Sequence, residues 1–188
     1  NDISGTGALT KVGANTLTLT GANSYSGTTT ISAGTVNVGT GGTTGSLGTG
    51  TVINNGNLVF NRSDNLTVTG AMSGTGSLTQ AGTGTLILAS GISGYTGTTT
   101  ISAGRLQIGD GSTSGSVTGN IVNNAVLTFD FPNAITYTGV ISGTGSLTQS
   151  GAGMLTLTSV NTYTGPTTVS SGRLAVNGSI TSYVTVAS

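Results

Sequence analysis

The feature that most constrains the fold is a 69-residue internal repeat. Three copies of an Ile/Met-Ser-Gly-Thr-Gly-Ala/Ser-Leu-Thr segment begin at this spacing, at Ile3, Met72 and Ile141. Self-similarity at a fixed period is the signature of an array in which each unit packs mainly on its neighbours. The sequence therefore predicts one continuous repeat architecture over residues 1–188 rather than a set of separate domains.

The apolar residues of the repeat form three interleaved series, which we call ladders. The first ladder has single members: Leu9, Ile31, Ile53, Leu78, Ile101, Val122, Leu147 and Val169. The second has pairs two residues apart: Leu17/Leu19, Val36/Val38, Leu58/Phe60, Leu86/Leu88, Leu106/Ile108, Leu127/Phe129, Leu155/Leu157 and Leu174/Val176. The third contains Ile3, Tyr25, Leu47, Met72, Tyr95, Val117, Ile141, Tyr163 and Ile180. Three members in each 69-residue unit predict a mean coil length of about 23 residues.

The spacing within the second ladder identifies strands rather than helices. Thr16-Leu-Thr-Leu-Thr20 alternates polar and apolar residues with a period of two, as a strand with one buried face does. We therefore predict an all-β parallel β-helix of about eight coils with all three ladders inward. Leu66/Val68 and Ile135/Tyr137 are predicted to form an extra strand that bulges from one coil in three. Positive φ is expected at three corner glycines, Gly34, Gly104 and Gly172.

Composition argues against most catalytic chemistry. The 188 residues include 34 Gly and 39 Thr but no His, Cys, Glu or Trp, and the acidic residues are Asp2, Asp64, Asp110 and Asp130. Zinc and redox sites usually use His or Cys, and general acid–base catalysis uses His or paired carboxylates. Hard cations need several oxygen ligands, and these Asp residues are dispersed along the chain. We therefore expect no enzyme activity, no cofactor and no metal site.

The charge balance limits the classes of partner. Four basic and four acidic residues give a formal net charge of zero. A chain without a basic surface cannot neutralise many phosphates, and no apolar run approaches the ~20 residues that span a bilayer. We therefore expect no nucleic-acid partner and no membrane insertion by this segment. The expected partners are other copies of the chain, flanking coils, or ligands on a host or bacterial surface.

Asp110 and Asp130 are the candidate pair of carboxylates. Each follows a second-ladder strand on consecutive predicted coils, so the two side chains could approach closely enough for a glycosidase pair or a cation site. No His, Lys or Glu accompanies them, and Asp110-Gly111 is typical of a simple turn. The turn is the favoured interpretation, which leaves no predicted catalytic, cofactor-binding or metal-binding residue.

Other polar and aromatic residues have a structural explanation as well as a functional one. Arg62 and Asp64 are expected to form a local surface pair. Arg105 and Arg173 occupy the position of Thr35 in the first unit and are expected at an exposed edge. The tyrosines of the third ladder could stack on sugars, but aliphatic residues replace them on the same ladder. Packing in the core or at a corner is therefore the favoured role of these tyrosines.

Residues 13–39, from Gly13-Ala-Asn-Thr-Leu to Thr35-Val-Asn-Val-Gly39, resemble the autotransporter-associated β-strand repeat, or passenger-associated transport repeat. Segments 82–109 and 151–178 resemble it too. The resemblance implies a right-handed parallel β-helix in the passenger of a Gram-negative autotransporter, exported through an outer-membrane barrel and displayed on or shed from the cell. Such passengers are often adhesins or biofilm proteins, and the repeat is associated with efficient secretion. Its motif residues are structural and imply no site.

These observations lead to three functional hypotheses of different classes. The favoured one is a structural display stalk in a secreted or surface-exposed adhesin, located outside the cell or on the outer-membrane surface. The alternative is an extracellular filament or biofilm matrix protein that self-associates by stacking its coils end to end. A carbohydrate-active enzyme shares this architecture but needs clustered carboxylates. We also expect the chain to be a single β-helix segment of a longer passenger or filament protein.

Overall fold

The computed structural model describes residues 2–90, 94–113 and 118–187, and these ranges contain short strands and loops but no helix. The first strands along the chain are β1 (Leu9–Lys11), β2 (Thr16–Leu19), β3 (Thr29–Ile31), β4 (Thr35–Val38), β5 (Val52–Asn54), β6 (Asn57–Phe60), β7 (Leu66–Val68), β8 (Met72–Ser73), β9 (Ser77–Gln80) and β10 (Thr85–Leu88). They are followed by β11 (Thr99–Ile101), β12 (Arg105–Ile108), β13 (Ile121–Asn123), β14 (Val126–Phe129), β15 (Ile135–Tyr137), β16 (Ile141–Ser142), β17 (Ser146–Gln149), β18 (Met154–Leu157), β19 (Thr167–Val169), β20 (Arg173–Val176) and β21 (Val184–Val186).

The strands form four parallel sheets around one core, which confirms the predicted parallel β-solenoid. The first sheet has the order β1-β3-β5-β8, and the second has the order β2-β4-β6-β9-β11-β13-β16. The third has the order β7-β10-β12-β14-β17-β19-β21, and the fourth has the order β15-β18-β20. The order of sheets is second, third, first at β6–β8 and third, fourth, second at β14–β16, so the fourth sheet follows the third just as the first sheet does, and the two lie on the same face.

Consecutive coils stack at intervals of about 20 residues. Leu86 of β10, for example, pairs with Leu66 on one side and with Leu106 on the other. The solenoid therefore has about nine turns, close to the predicted eight. The fold class is confirmed, and the stacking interval is slightly shorter than the mean coil length that the three ladders predicted.

The 69-residue unit is longer than three coils. It continues around the solenoid past its third coil by one further face. Its equivalent residues Leu9, Leu78 and Leu147 lie in the first, second and third sheets, respectively. The strands predicted to bulge from the solenoid, β7 and β15, are instead regular members of the third and fourth sheets and supply the additional face. Each repeat is therefore rotated by one face relative to the repeat before it. For this reason the unit does not divide into three equal coils.

The second ladder forms the centre of the core, as predicted. Interior members such as Leu58, Leu106 and Leu155 have 0% exposure, and the terminal pairs Leu17/Leu19 and Leu174/Val176 are less completely covered. The third ladder is also inward in the interior coils, although Ile3 is exposed and Val117 lies outside the described residues. A continuous row of buried apolar side chains thus runs along the solenoid.

Two members of the first ladder face outward instead of inward. Ile53 and Val122 are the middle residues of β5 and β13, and their neighbours Asn54 and Asn123 are buried at 0% exposure. Asn123 Nδ2 donates to Ser146 O at 2.8 Å, and its Oδ1 accepts from Ala125 N at 3.2 Å. Because both ends of the amide have backbone partners, the polar side chain is tolerated in the core. The alternation of the strand then directs the aliphatic residue outward.

The corner glycines have the predicted backbone conformation. Gly34, Gly104 and Gly172 have φ values of 73°, 61° and 65°. At Gly104 a Cβ atom would lie 2.3 Å from Gly84 O of the preceding coil. Both the positive φ and the close approach of the neighbouring backbone require glycine there.

Candidate functional site

The structure brings Asp110 and Asp130 together at one corner, as the sequence indicated. Asp110 follows β12, and Asp130 follows β14, the strand stacked directly on β12. Gly111 N donates to Asp130 O at 2.9 Å, which holds the two turns together. A Cβ atom on Gly111 would lie 3.3 Å from Asp130 Oδ1, so the Asp130 carboxylate packs against the backbone beside Asp110.

The two carboxylates have different environments. Asp110 Oδ1 accepts hydrogen bonds from the backbone N atoms of Ser112 and Thr113 at 3.0 and 2.9 Å, and from both of their hydroxyls. These donors lower the pKa of Asp110 to about 2. Desolvation, and then the charge of Asp110, raise the pKa of Asp130. Gln107 Nε2 donates to Asp130 Oδ2 at 3.2 Å.

Opposite pKa shifts in a carboxylate pair are typical of acid–base sites, but the rest of such a site is not assembled here. Within residues 2–90, 94–113 and 118–187, no group of three or more His, Cys, Asp or Glu side chains is placed to hold a metal ion. Asp110 is also exposed on the outer surface of the solenoid. The arrangement fits a turn with an unusual charge content better than it fits a hydrolytic centre.

Arg62 and Asp64 form the predicted surface pair. Arg62 Nε and Nη2 donate to the two carboxylate oxygens of Asp64, each at 2.8 Å. The same guanidinium donates to Thr43 O at 2.6 Å and to Gly45 O. This pair lowers the pKa of Asp64. Because Arg62 joins the loop at 43–45 to the next coil, its role is to hold that loop in place.

The tyrosines of the third ladder are core residues, as the sequence favoured. Tyr25, Tyr95 and Tyr163 are at most 1% exposed. The hydroxyls of Tyr25 and Tyr163 lie 2.6 Å from Thr29 and Thr167 Oγ1, and Tyr95 Oη donates to Gly76 O at 2.7 Å. Burial raises the pKa of Tyr95 to about 12. Rings buried in this way cannot form a surface row for sugar stacking.

A set of buried polar side chains was missed by the sequence analysis. Lys11, Gln80 and Gln149 end equivalent strands and are 8%, 2% and 2% exposed. Gln80 Nε2 donates to Gly82 O and Gly84 O at 2.9 and 3.1 Å, and Gln149 makes the same contacts to Gly151 and Gly153. In the sequence, each of these polar residues lies two positions after a leucine of the first ladder. Because side chains alternate along a strand, it points to the same inward side as that leucine. These residues stabilise corners and are not exposed to a ligand.

The last coil presents an apolar groove of about 350 Å³. Met154, Val176, Val184 and Val186 line it, with exposures of 38%, 38%, 46% and 69%. The partly buried Leu174 is also in its lining. Arg173 lies beside it and, like Arg105, is exposed as predicted. This end of the solenoid therefore leaves apolar side chains uncovered.

Comparison with known proteins identifies the repeat. The model of the passenger-associated-transport-repeat family matches residues 9–38, 78–108 and 147–176. No curated protein and no solved structure matches the chain. In the described ranges, no helix has the length and hydrophobicity needed to cross a membrane.

Each matched segment has the same architecture in the solenoid. Its four strands form two stacked parallel pairs, such as β1 with β3 and β2 with β4 in the first copy. The second copy pairs β9 with β11 and β10 with β12, and the third pairs β17 with β19 and β18 with β20. The chain therefore contains three copies of the passenger-associated-transport repeat.

Proposed function

We propose that this chain is a structural stalk in a surface-displayed adhesin of an autotransporter type, without catalytic activity of its own. The observation that carries the proposal is the combination of an unbroken buried core with a nearly uncharged polar exterior. The repeat and the β-solenoid fit a structural segment of an autotransporter passenger, and the family implies a secreted or surface-exposed protein of Gram-negative bacteria.

The physical properties of the solenoid suit a spacer. Interior strands such as β12 are hydrogen-bonded to a coil on each side, so bending the rod disrupts many parallel pairings at once. The exterior carries mainly Thr, Ser and Asn, which keep an exposed sheet face hydrated without a net charge. A stiff, neutral rod can hold another domain away from a cell surface and make few contacts itself.

A length experiment tests this role. The chain is displayed on bacteria beneath an adhesive domain of known ligand, and is compared with a variant that lacks residues 82–150. Gly151 is the repeat equivalent of Gly82, so the junction preserves the repeat pattern. We expect the shorter rod to reduce cell attachment while the affinity of the purified adhesive domain stays the same. Attachment by the chain without the adhesive domain would show that it is itself the adhesin and not a spacer.

A second candidate function is self-association into an extracellular filament. The exposed apolar groove at Met154, Val176, Val184 and Val186 favours this alternative, and beside it lies an edge of β20 that no other described strand pairs with. Open strand edges are templates for pairing with another chain. Sedimentation velocity over a wide concentration range tests it, since end-to-end stacking gives a series of longer species. Replacing Val184 and Val186 by Lys should remove that series, and a monomer at every concentration of the natural chain would rule it out.

A further inference from the structure

The apolar groove on the last coil has two occupied counterparts inside the same molecule. Strands β4, β12 and β20 are equivalent in the three units, and β6 and β14 stack on the first two of them. β20 pairs with β18, and no strand of residues 2–90, 94–113 and 118–187 stacks on its other edge. The two covered copies therefore show which kind of strand fits the edge that β20 leaves open.

The inward residues of β20 match residues of the covered strands one by one. Leu174 corresponds to Leu106, which is in register with the leucine of β14 and has 0% exposure. Val176 corresponds to Val38, which is in register with the phenylalanine of β6 and also has 0% exposure. On β20 the same two residue types are only partly covered, and Val176 is 38% exposed. A strand with an inward leucine and an inward phenylalanine two residues apart therefore fits this surface.

The backbone of this edge is also arranged to receive a parallel strand. In the first unit, Gly34 O accepts a hydrogen bond from the first residue of β6 at 2.9 Å, and Val38 O accepts one from Asn61 N at 2.9 Å. Gly172 and Val176 are the equivalent residues of the third unit, and both line the groove. No described strand lies on their open side to supply these donors. Unpaired backbone groups at a sheet edge pair readily with an added strand.

The third unit differs from the other two in a way that favours a separate polypeptide as the source of this strand. Asn54 and Asn123 end β5 and β13, and each accepts a hydrogen bond at 3.2 Å from the backbone N two residues later. These bonds hold the tight turns through which the same chain enters β6 and β14. Val186 of β21 occupies the register position of the two asparagines. A valine has no acceptor to hold such a turn, and its side chain adds apolar surface to the groove.

We propose that the open edge of β20 binds an extended segment of a separate polypeptide, which adds to the fourth sheet as a parallel strand and places a leucine and a phenylalanine in the groove. In strand addition, main-chain hydrogen bonds supply affinity, and pockets for alternate side chains supply specificity. The groove is lined mainly by Met, Leu and Val side chains, so the matching segment is apolar at alternate positions. The inference is independent of the stalk role, and a second copy of the chain is the competing occupant.

Binding of a labelled peptide to the whole chain tests the site. The probe is a synthetic peptide of residues 55–64, which contains the sequence of β6, and fluorescence anisotropy measures its affinity. Phe60→Ala in the peptide should weaken binding at least about tenfold, because it removes the aromatic anchor. Val176→Lys in the chain should weaken binding by a similar factor, because it places a charge in the groove. Val12→Lys is the matched control, since Val12 is 68% exposed in the first coil, and it should leave the affinity unchanged.

Disulfide trapping tests the register, since the natural chain has no cysteine. Val59 of β6 pairs with Asn37 of β4, and the equivalent of Asn37 in β20 is Ala175. A chain with Ala175→Cys should therefore form a disulfide faster with a peptide that carries Val59→Cys than with one that carries Asn57→Cys. Neighbouring strands lie about 4.8 Å apart, within the Cα separation that a disulfide can span.

Three outcomes overturn the proposal. The first is the absence of saturable binding between the natural peptide and the natural chain. The second is equal affinity for the natural and Phe60→Ala peptides, or equal disulfide rates for the two cysteine peptides, which would show adsorption without a fixed register. The third is a chain that self-associates through the groove and is not dispersed by the peptide, which would assign the groove to a second copy. None of these results bears on the stalk role, which the length experiment tests separately.

Discussion

The interior strand β12 and the terminal strand β20 occupy equivalent places in the repeat but differ in burial. Leu106 and Ile108 of β12 are both at 0% exposure, whereas Leu174 of β20 is partly buried and Val176 is 38% exposed. β12 pairs with a strand on each side, and β20 pairs with β18 alone among the strands of residues 2–90, 94–113 and 118–187. The local sequence is enough to specify the strand and its inward face. Complete burial requires the coils on both sides.

This difference has an energetic consequence for the whole solenoid. Burial stabilises by roughly 25 cal/mol for each Å² of apolar surface removed from water, so a coil that is covered on one side gains less than an interior coil. Stability in a linear repeat array is approximately a sum of such nearest-neighbour terms. We therefore expect substitutions at equivalent positions to have smaller effects at the ends than in the interior.

The largest expected effect comes from a charge placed in the core. Leu106→Asp should destabilise the chain by more than about 4 kcal/mol, because an unpaired carboxylate would be buried between two coils. The equivalent change Leu174→Asp should cost about half as much or less, since the side chain can reach water at the open end. Chemical denaturation of both variants measures the difference. Equal losses would contradict the view that burial of the repeat depends on both neighbouring coils.

A second prediction concerns the buried amides. Asn123 satisfies Ser146 O and Ala125 N from within the core, so Asn123→Ala should cost about 1–3 kcal/mol by leaving those groups without partners. Val186 likewise ends a strand, β21, but is 69% exposed. Val186→Ala should therefore change the free energy of unfolding by less than about 0.5 kcal/mol. Thermal melts of both variants test the contrast, and a large loss at Val186 would mean that this end is covered in solution.

The same asparagines show where prediction from sequence reached its limit. The pairs at i and i+2, such as Leu106/Ile108, were assigned correctly, because a period of two leaves only one face for apolar residues. Ile53 and Val122 were assigned to the core because they are aliphatic and fit a mean spacing. Recognising that Asn54 and Asn123 replace them required knowledge of the backbone atoms that satisfy each amide. No spacing in the sequence contains that information.

The candidate corner was predictable for a different reason. Asp110 and Asp130 each follow a strand of the second ladder, and those strands stack in register, so their approach was anticipated. The burial of Thr128, whose Oγ1 has no hydrogen-bond partner among the described residues, could not be anticipated, because Thr128 occupies an outward position of β14 between Leu127 and Phe129. The rotation of the repeat by one face was also hidden, since the sequence contains the 69-residue period but not the stacking interval.

A third prediction compares glycines of the first coil and of the interior. Gly104 has φ of 61° and a Cβ atom would lie 2.3 Å from Gly84 O, so Gly104→Ala should cost more than about 2 kcal/mol through strain and collision. Gly13 has φ of 77° but no atom within 4 Å of such a Cβ. Gly13→Ala should cost only the ~1 kcal/mol of a left-handed alanine. Denaturation midpoints test this, and equal losses would show that φ alone decides the cost.

The smallest expected effects are those of acid on the contributions of Asp110 and Asp130 to the free energy of unfolding. The pKa of Asp130 is raised in the folded state, so its penalty is present at neutral pH and is relieved as the pH falls through that pKa. The pKa of Asp110 is lowered to about 2, so its contribution is present above the ordinary value near 4 and is lost as the pH falls toward 2. Solvent screens both groups, and each effect should stay below about 1 kcal/mol. Asp130→Asn should remove the gain on mild acidification, and Asp110→Thr should remove part of the loss below pH 4. If neither variant changes the acid profile, the hydrogen bonds to Asp110 and the desolvation of Asp130 do not shift the two pKa values in solution.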